Sequence, residues 1–190
     1  MSQQRNPQPK PPTPAPSAAA PIAASSPPLI QLPKPGPIRA KELAERITSK
    51  FPDVKVDYMK EKRLKVTVTT SGIGALAIFA RDELGFDHIS AVSGVDWIAR
   101  SEFEVIYFVG SVSKPGYEDF VVAIAERVPR DNPVVPSLVD VWIGADSQER
   151  ETHEMSGINF RGHPNQGHLL LPEDWNDLPP LRKDYVSPGR

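Results

Sequence analysis

The sequence predicts an α+β fold in which helices pack on one face of a mainly antiparallel sheet, with a disordered proline-rich arm before it and an extended tail after it. Apolar residues recur at helical spacing in two early segments, and five further segments alternate or run apolar as strands do. Their order is helix, two strands, helix, three strands, which suits helices laid against one antiparallel sheet rather than a parallel one. Both ends, by contrast, are rich in proline and lack a periodic apolar face.

Residues 1–37 hold 12 of the 22 prolines, interleaved with Ala, Ser, Gln and Thr, and carry Arg5, Lys10 and Lys34 but no acid. Such a composition buries too little apolar surface to offset the entropy of ordering, and its proline spacing favours short polyproline II stretches. Order is expected from near Ile38, where Ala40, Leu43, Ala44, Ile47 and Phe51 repeat at helical spacing between charged residues. Val54, Val56 and Tyr58 then alternate with charged side chains, and after residues 60–63 so do Leu64, Val66 and Val68, predicting a hairpin with one buried face. Ile73, Leu76, Ala77, Ala80 and Leu84 restore the helical period, and Gly85 stands where a left-handed C-cap belongs. Strand-like runs follow at 88–98, 102–112 and 120–128.

From Pro129 the character changes. Pro133 and Pro136 punctuate a loop, and residues 137–143 read as a short helix opened by Ser137. A second helix is expected from Asp146 to Met155, its start marked by the capping-box spacing of Asp146 and Glu149 and its end by Gly157. The globular domain is thus placed at 38–157 and the tail at 158–190. That tail contains five prolines but also Leu169, Leu170, Leu171, Trp175 and Leu181, apolar anchors of the kind a segment draped over a partner subunit requires.

Composition narrows function. With 22 basic against 24 acidic side chains, no excess positive charge draws the chain to phosphate backbones, and nucleic acid is not an expected partner. Cysteine is absent, which removes disulfides, zinc ribbons and thiolate-ligated iron–sulfur clusters, so any electron carrier must sit on another chain. No run approaches the roughly 18 apolar residues of a membrane span. The start also lacks the apolar core of a secretory signal, so a soluble chain that is not exported is expected.

Two constellations invite chemistry. Gly72, Gly74 and Ala77 fit G-x-G-x-x-A after a strand and at the start of a helix, with Asp96 placed like the ribose-binding acid of a dinucleotide fold. An independent nucleotide-binding domain is therefore an alternative, although a hairpin strand before the motif and consecutive strands after it argue for a plain strand-to-helix turn. His153, His163 and His168 with Glu149, Glu151 and Glu154 suggest a metal or acid–base cluster, but His153-Glu154 does not continue into H-E-x-x-H. Side-chain pairing of Glu149 with His153 and of Arg150 with Glu154, four apart on one helix, is the simpler expectation. No catalytic, cofactor-binding or metal residue is assigned.

Taken together, Glu149-Arg150-Glu151, Glu154-Met155, Gly157-Ile158, Phe160, Gly162-His163-Pro164, Leu170-Leu171-Pro172-Glu173-Asp174-Trp175 and Leu181-Arg182-Lys183-Asp184-Tyr185 form an ordered set. The set resembles the thirty-kilodalton subunit family of respiratory complex I, the bacterial NADH:quinone oxidoreductase. Gly94-Val95-Asp96, the 103–107 run and the 133–138 run extend the resemblance, which covers residues 38–186 in pattern. The chain departs from the family at His153, Glu154 and Ser156, and at residues 165–168, where a pair of basic residues is missing.

The resemblance implies a non-catalytic peripheral-arm subunit of a proton-translocating NADH:quinone oxidoreductase, itself without cofactors. It would bind and stabilise the quinone-site subunit of the forty-nine-kilodalton type beside iron–sulfur subunits, at the cytoplasmic side of the cell membrane. Flavin and iron–sulfur clusters would lie on other subunits, and quinone would be the acceptor. The departures allow the same role with another donor: reduced deazaflavin, ferredoxin or a hydrogenase partner. By the same resemblance the partner interface would comprise Glu149, Arg150, Glu151, Glu154, Gly162, His163, Pro164, Leu170, Leu171, Pro172, Trp175, Arg182, Lys183 and Asp184.

Overall fold

A computed structural model describes residues 40–68 and 72–187. The expectation for residues 1–37 lies outside them. Helix α1 (Ala40–Lys50) turns Ala40, Leu43, Ala44 and Ile47 inward, the face its spacing predicts. A hairpin follows, β1 (Val54–Lys60) and β2 (Arg63–Val68), with a bulge at Asp57 that shifts the register. Helix α2 (Ile73–Asp82) buries Ile73, Leu76, Ala77, Phe79 and Ala80, and meets α1 through an edge-to-face contact of Phe51 with Phe79 at 5.5 Å. Its last turn closes with the Leu84 N–H donating to Phe79 O and the Phe86 N–H to Ala80 O, while Gly85 adopts φ +82°.

Strands β3 (His88–Trp97), β4 (Glu102–Gly110) and β5 (Val121–Pro129) complete a five-stranded sheet of order β1-β2-β5-β4-β3. The α+β architecture with a mainly antiparallel sheet is the one predicted. One pairing departs from it: β2 and β5 run parallel, side by side. Because β1 and β3 form the two edges, the strands flanking α2 are separated by β5 and β4. That is not the adjacent parallel β-α-β unit that a dinucleotide fold needs. Gly72 and Gly74 start α2, and a Cβ on Gly74 would meet nothing within 4 Å, so close packing does not require glycine there.

The helix side of the sheet carries the main core, including Leu64, Val66, Ile124, Phe103, Val105, Tyr107 and Val109. Across β3 lies α3 (Ala145–Ser156), brought so close that a Cβ on Gly94 would stand 3.0 Å from Thr152 Cγ2 and 3.2 Å from Ile158 Cδ1. The helix predicted over residues 137–143 is instead a pair of turns, in which Leu138 O accepts from the N–H groups of Val141 and Trp142. The capping box is also absent. Gly144 is the N-cap without a side-chain bond, and Glu149 is engaged elsewhere. Gly157 ends α3 at φ +79° as predicted.

The segment assigned to the tail from residue 158 begins inside the body. Strand β7 (Asn159–Arg161) pairs in parallel with β6 (Val134–Pro136), and Ile158 and Phe160 are completely buried. Among the described residues, no helix is long and apolar enough to cross a membrane.

Candidate functional site

The residues singled out by sequence gather around α3, where they divide into a buried centre and two attachments of the C-terminal segment. Glu149 forms the centre and is wholly enclosed. Its Oε1 accepts from Tyr107 Oη at 2.9 Å and from the Leu138 N–H at 2.7 Å, and its Oε2 accepts from Ser137 Oγ at 2.6 Å. Burial pushes this carboxyl up, and the three donors only partly pull it back. The Tyr107 hydroxyl is pushed up by burial and by the neighbouring Glu149. Glu149 thus ties strand β4 and the 137–138 turn to α3, and does not pair with His153, whose Nδ1 meets Ile158 O at 2.8 Å. A second acid, Glu126 of β5, lies on the same helix-side face; burial raises its pKa and Arg161 opposes the rise.

Gly162 turns at φ +91° and sends His163 back under α3. There Nε2 donates to Asp146 O at 3.0 Å, and Nδ1 accepts from the Asn165 N–H at 3.1 Å. The two bonds fix one tautomer and the direction in which the chain leaves. Pro164 is exposed at that bend.

Glu154 makes the first attachment. Its buried carboxylate accepts the successive N–H groups of Leu169, Leu170 and Leu171 at 3.1, 2.9 and 2.8 Å, and His168 Nδ1 lies at 3.1 Å. Burial alone would raise this acid, but the converging N–H donors outweigh it and hold the carboxyl below its ordinary value. Arg150 supports the same stretch: its Nε donates to Gly167 O at 2.6 Å, and it also donates to His168 O. The predicted pairing of Arg150 with Glu154 is replaced by these contacts with the chain 17 to 18 residues on from Arg150. Glu151 is exposed and borders a small cavity with Ser93, Met155 and Leu181.

The second attachment centres on Asp96, whose side chain is only 2% exposed. Arg130 grips it with two bonds of 2.9 and 3.1 Å, and the Lys183 N–H donates to Asp96 Oδ2 at 2.9 Å. Arg130 also reaches Asp184 at 2.6 Å, Arg182 pairs with Asp184 at 3.1 Å, and Arg182 lies over the Phe103 ring. Burial would raise Asp96; the Arg130 guanidinium and the Lys183 N–H reverse the sign and hold it low. The Leu181 N–H donates to Met155 O at 2.8 Å. Asp96, read by spacing as a possible ribose ligand, is thereby occupied by this chain's own residues.

Between the attachments the chain presents side chains outward. Leu170 is 61% and Leu181 63% exposed, Pro172 is exposed, and Trp175 is half-buried against Tyr185 at 6.0 Å. Sequence reasoning missed Tyr107, Arg130 and the role of Asp96, each far along the chain from its partners. Among the described residues, no group of three or more His, Cys, Asp or Glu side chains is arranged to hold a metal ion.

The family described as "Respiratory-chain NADH dehydrogenase, 30 Kd subunit" matches residues 66–190. A subunit of the F(420)H(2) dehydrogenase of Methanosarcina mazei is 36% identical over 148 residues, 77% of this chain and 91% of that one. A subunit of the NADH-quinone oxidoreductase of Roseiflexus castenholzii is 42% identical over 124 residues, 64% of this chain and 68% of that one. Among solved structures, a chain of the membrane-bound sulfane sulfur reductase, an archaeal respiratory membrane complex, superposes with a TM-score of 0.64 at 25% identity, covering 77% of this chain and 85% of that one.

Proposed function

The chain belongs to the respiratory-chain NADH dehydrogenase 30 kDa subunit family, and we propose that it serves as a non-catalytic subunit that binds and stabilises the quinone-site subunit of a complex I-type, proton-translocating oxidoreductase. Its relatives are subunits of NADH-quinone oxidoreductase and of F420H2 dehydrogenase. The observation that carries the reading is the use of Glu154: three consecutive backbone N–H groups turn inward to one carboxylate while the Leu170 side chain points out. Backbone polarity is satisfied within the chain, leaving apolar side chains for a partner, as an interface anchor needs.

In this role the subunit sits peripherally at the cytoplasmic side of the membrane. Flavin and iron–sulfur clusters reside on neighbouring subunits and quinone accepts the electrons; a chain without cysteine offers no thiolate to a cluster. A second reading changes only the donor. The F420H2 dehydrogenase relative, 36% identical over 77% of this chain, is the ground for a reduced deazaflavin in place of NADH.

The test is purification from native membranes in mild detergent through a tag on this chain, followed by mass spectrometry. Recovery of a larger quinone-site subunit with iron–sulfur proteins is expected, and the donor module among them distinguishes the two readings. A chain recovered alone would sink both.

A further inference from the structure

We infer that the free edge of β3 is a second docking surface, where an extended segment of the same larger subunit adds a strand to the sheet through main-chain hydrogen bonds. The inference rests on the subunit reading above and adds to the C-terminal anchor a contact made by the folded body. It starts from the sheet order, β1-β2-β5-β4-β3, which leaves one side of β1 and one side of β3 without a neighbouring strand among the described residues. An unpaired edge offers a row of N–H and C=O groups, and folded chains blunt such edges with charge, proline, a bulge or a cover.

The two edges differ. β1 carries Lys55, Asp57 and Lys60 and bulges at Asp57. β3 bulges only near its start, at Ser90, and from there runs Ala91-Val92-Ser93-Gly94-Val95 with neither charge nor proline. Five residues at about 3.4 Å each reach about 17 Å, the length of an ordinary strand.

Space is open beside this run. Val92 lies opposite Tyr107, on the helix side, and Ser93 opposite Ile106, on the other. A cleft of about 150 Å³ is lined by both of them and by Gly94, Glu151, Met155 and Leu181, so it follows the edge rather than either face. Gly94 is partly exposed, and a residue without a side chain exposes only main chain.

Continuity and chemistry name the occupant. Leu181, 63% exposed, walls the cleft and is tied to α3 by its N–H bond to Met155 O. A partner that covers the exposed leucines of the C-terminal segment therefore reaches β3 at the same place. The small uncharged residues at 91–95 suit small and aliphatic residues opposite them, with one side chain entering between Met155 and Leu181. The chain's own residues 1–37 fit poorly, because 12 of them are prolines, which have no N–H to give a ladder. A second copy paired with β3 about a two-fold axis would bring two exposed Glu151 carboxylates to one seam, where like charges oppose the pairing.

The experiment measures amide hydrogen exchange by mass spectrometry on the full chain, alone and within the purified complex. Alternate amides of residues 91–95, those turned outward, are expected to exchange at least tenfold more slowly in the complex. In parallel, a photoreactive benzoylphenylalanine replaces Ser93 in the complex, and in a control replaces Tyr58 on the β1 edge. Capture of a larger-subunit peptide rich in small and aliphatic residues is expected from position 93 and not from position 58. Unchanged exchange at 91–95 overturns the inference and leaves the subunit reading standing. So does capture from position 93 of residues 1–37, of a second copy or of no protein, or capture of the same peptide in equal yield from both positions. Failure of the unmodified chain to co-purify with any larger subunit overturns the subunit reading and this inference with it.

Discussion

Glu149 and Glu154 stand five residues apart on one helix, and their surroundings push them in opposite directions. Glu149 is raised because three donors do not compensate complete burial, whereas Glu154 is lowered because its N–H donors outweigh it. Substitutions should expose this contrast. Glu149→Gln keeps an acceptor for Tyr107 and Leu138 and removes a buried charge, so it should change stability by no more than about 1 kcal/mol. Glu149→Ala strands those donors and opens a cavity, and should cost about 3 to 5 kcal/mol in denaturant titration. For Glu154 and Asp96 the folded value is depressed, so their stabilisation is complete above the unfolded-state values near pH 4 and disappears as pH falls through the folded values. Protection of the Leu169, Leu170 and Leu171 amides from hydrogen exchange, measured against the unfolded chain at the same pH, should therefore be high at neutral pH and fall on acidification below about pH 4. Glu154→Ala should give the low protection at every pH. The helix carrying both acids was legible as a dense motif, but the division of labour was not. It depends on Tyr107, Ser137 and residues 169–171, and no spacing rule links positions so far apart.

Helix α3 makes its contacts through glycines, and its placement explains which elements sequence could and could not read. A Cβ at position 94 would crowd Thr152, Ser156 and Ile158 at 3.0 to 3.2 Å, so β3 and α3 approach as they do only because Gly94 has no side chain. Gly94→Val should cost about 1 to 3 kcal/mol through overpacking. Gly157→Ala combines a left-handed backbone with a 3.2 Å approach to Pro179, and should cost about 1 to 2 kcal/mol. Both are read from thermal melts. Helices α1 and α2 and strands β1 to β5 were legible because each depends on its own apolar period. Residues 137–143 looked helical, yet they become turns because Glu149 takes the Leu138 N–H and Phe86 O takes the Trp142 indole N–H. The parallel pairings of β2 with β5 and of β6 with β7 are tertiary choices that local pattern does not encode.

At the scale of the molecule, the question is where the body ends and the partner-binding segment begins, and burial places that division later than composition does. Ile158 and Phe160 are completely enclosed, and β7 covers the edge of β6, so the chain is still building its core after α3 has ended. Full burial of two such side chains is worth roughly 3 to 6 kcal/mol, a large part of a typical net stability of about 5 to 15 kcal/mol. A chain ending at residue 157 should therefore be unfolded or aggregated. One ending at Gln166 keeps the bonds between Gln166 and Phe160 and the bonds of His163, but loses every contact made to Glu154 and Asp96 by residues 168–184. That shorter chain should melt within a few degrees of the full one while failing to co-purify with a larger subunit. Melting curves and tagged purification of the two truncations separate folding from docking. If the chain ending at Gln166 still brings down its partner, residues 168–184 are not the anchor, and the association runs through the folded body before residue 167.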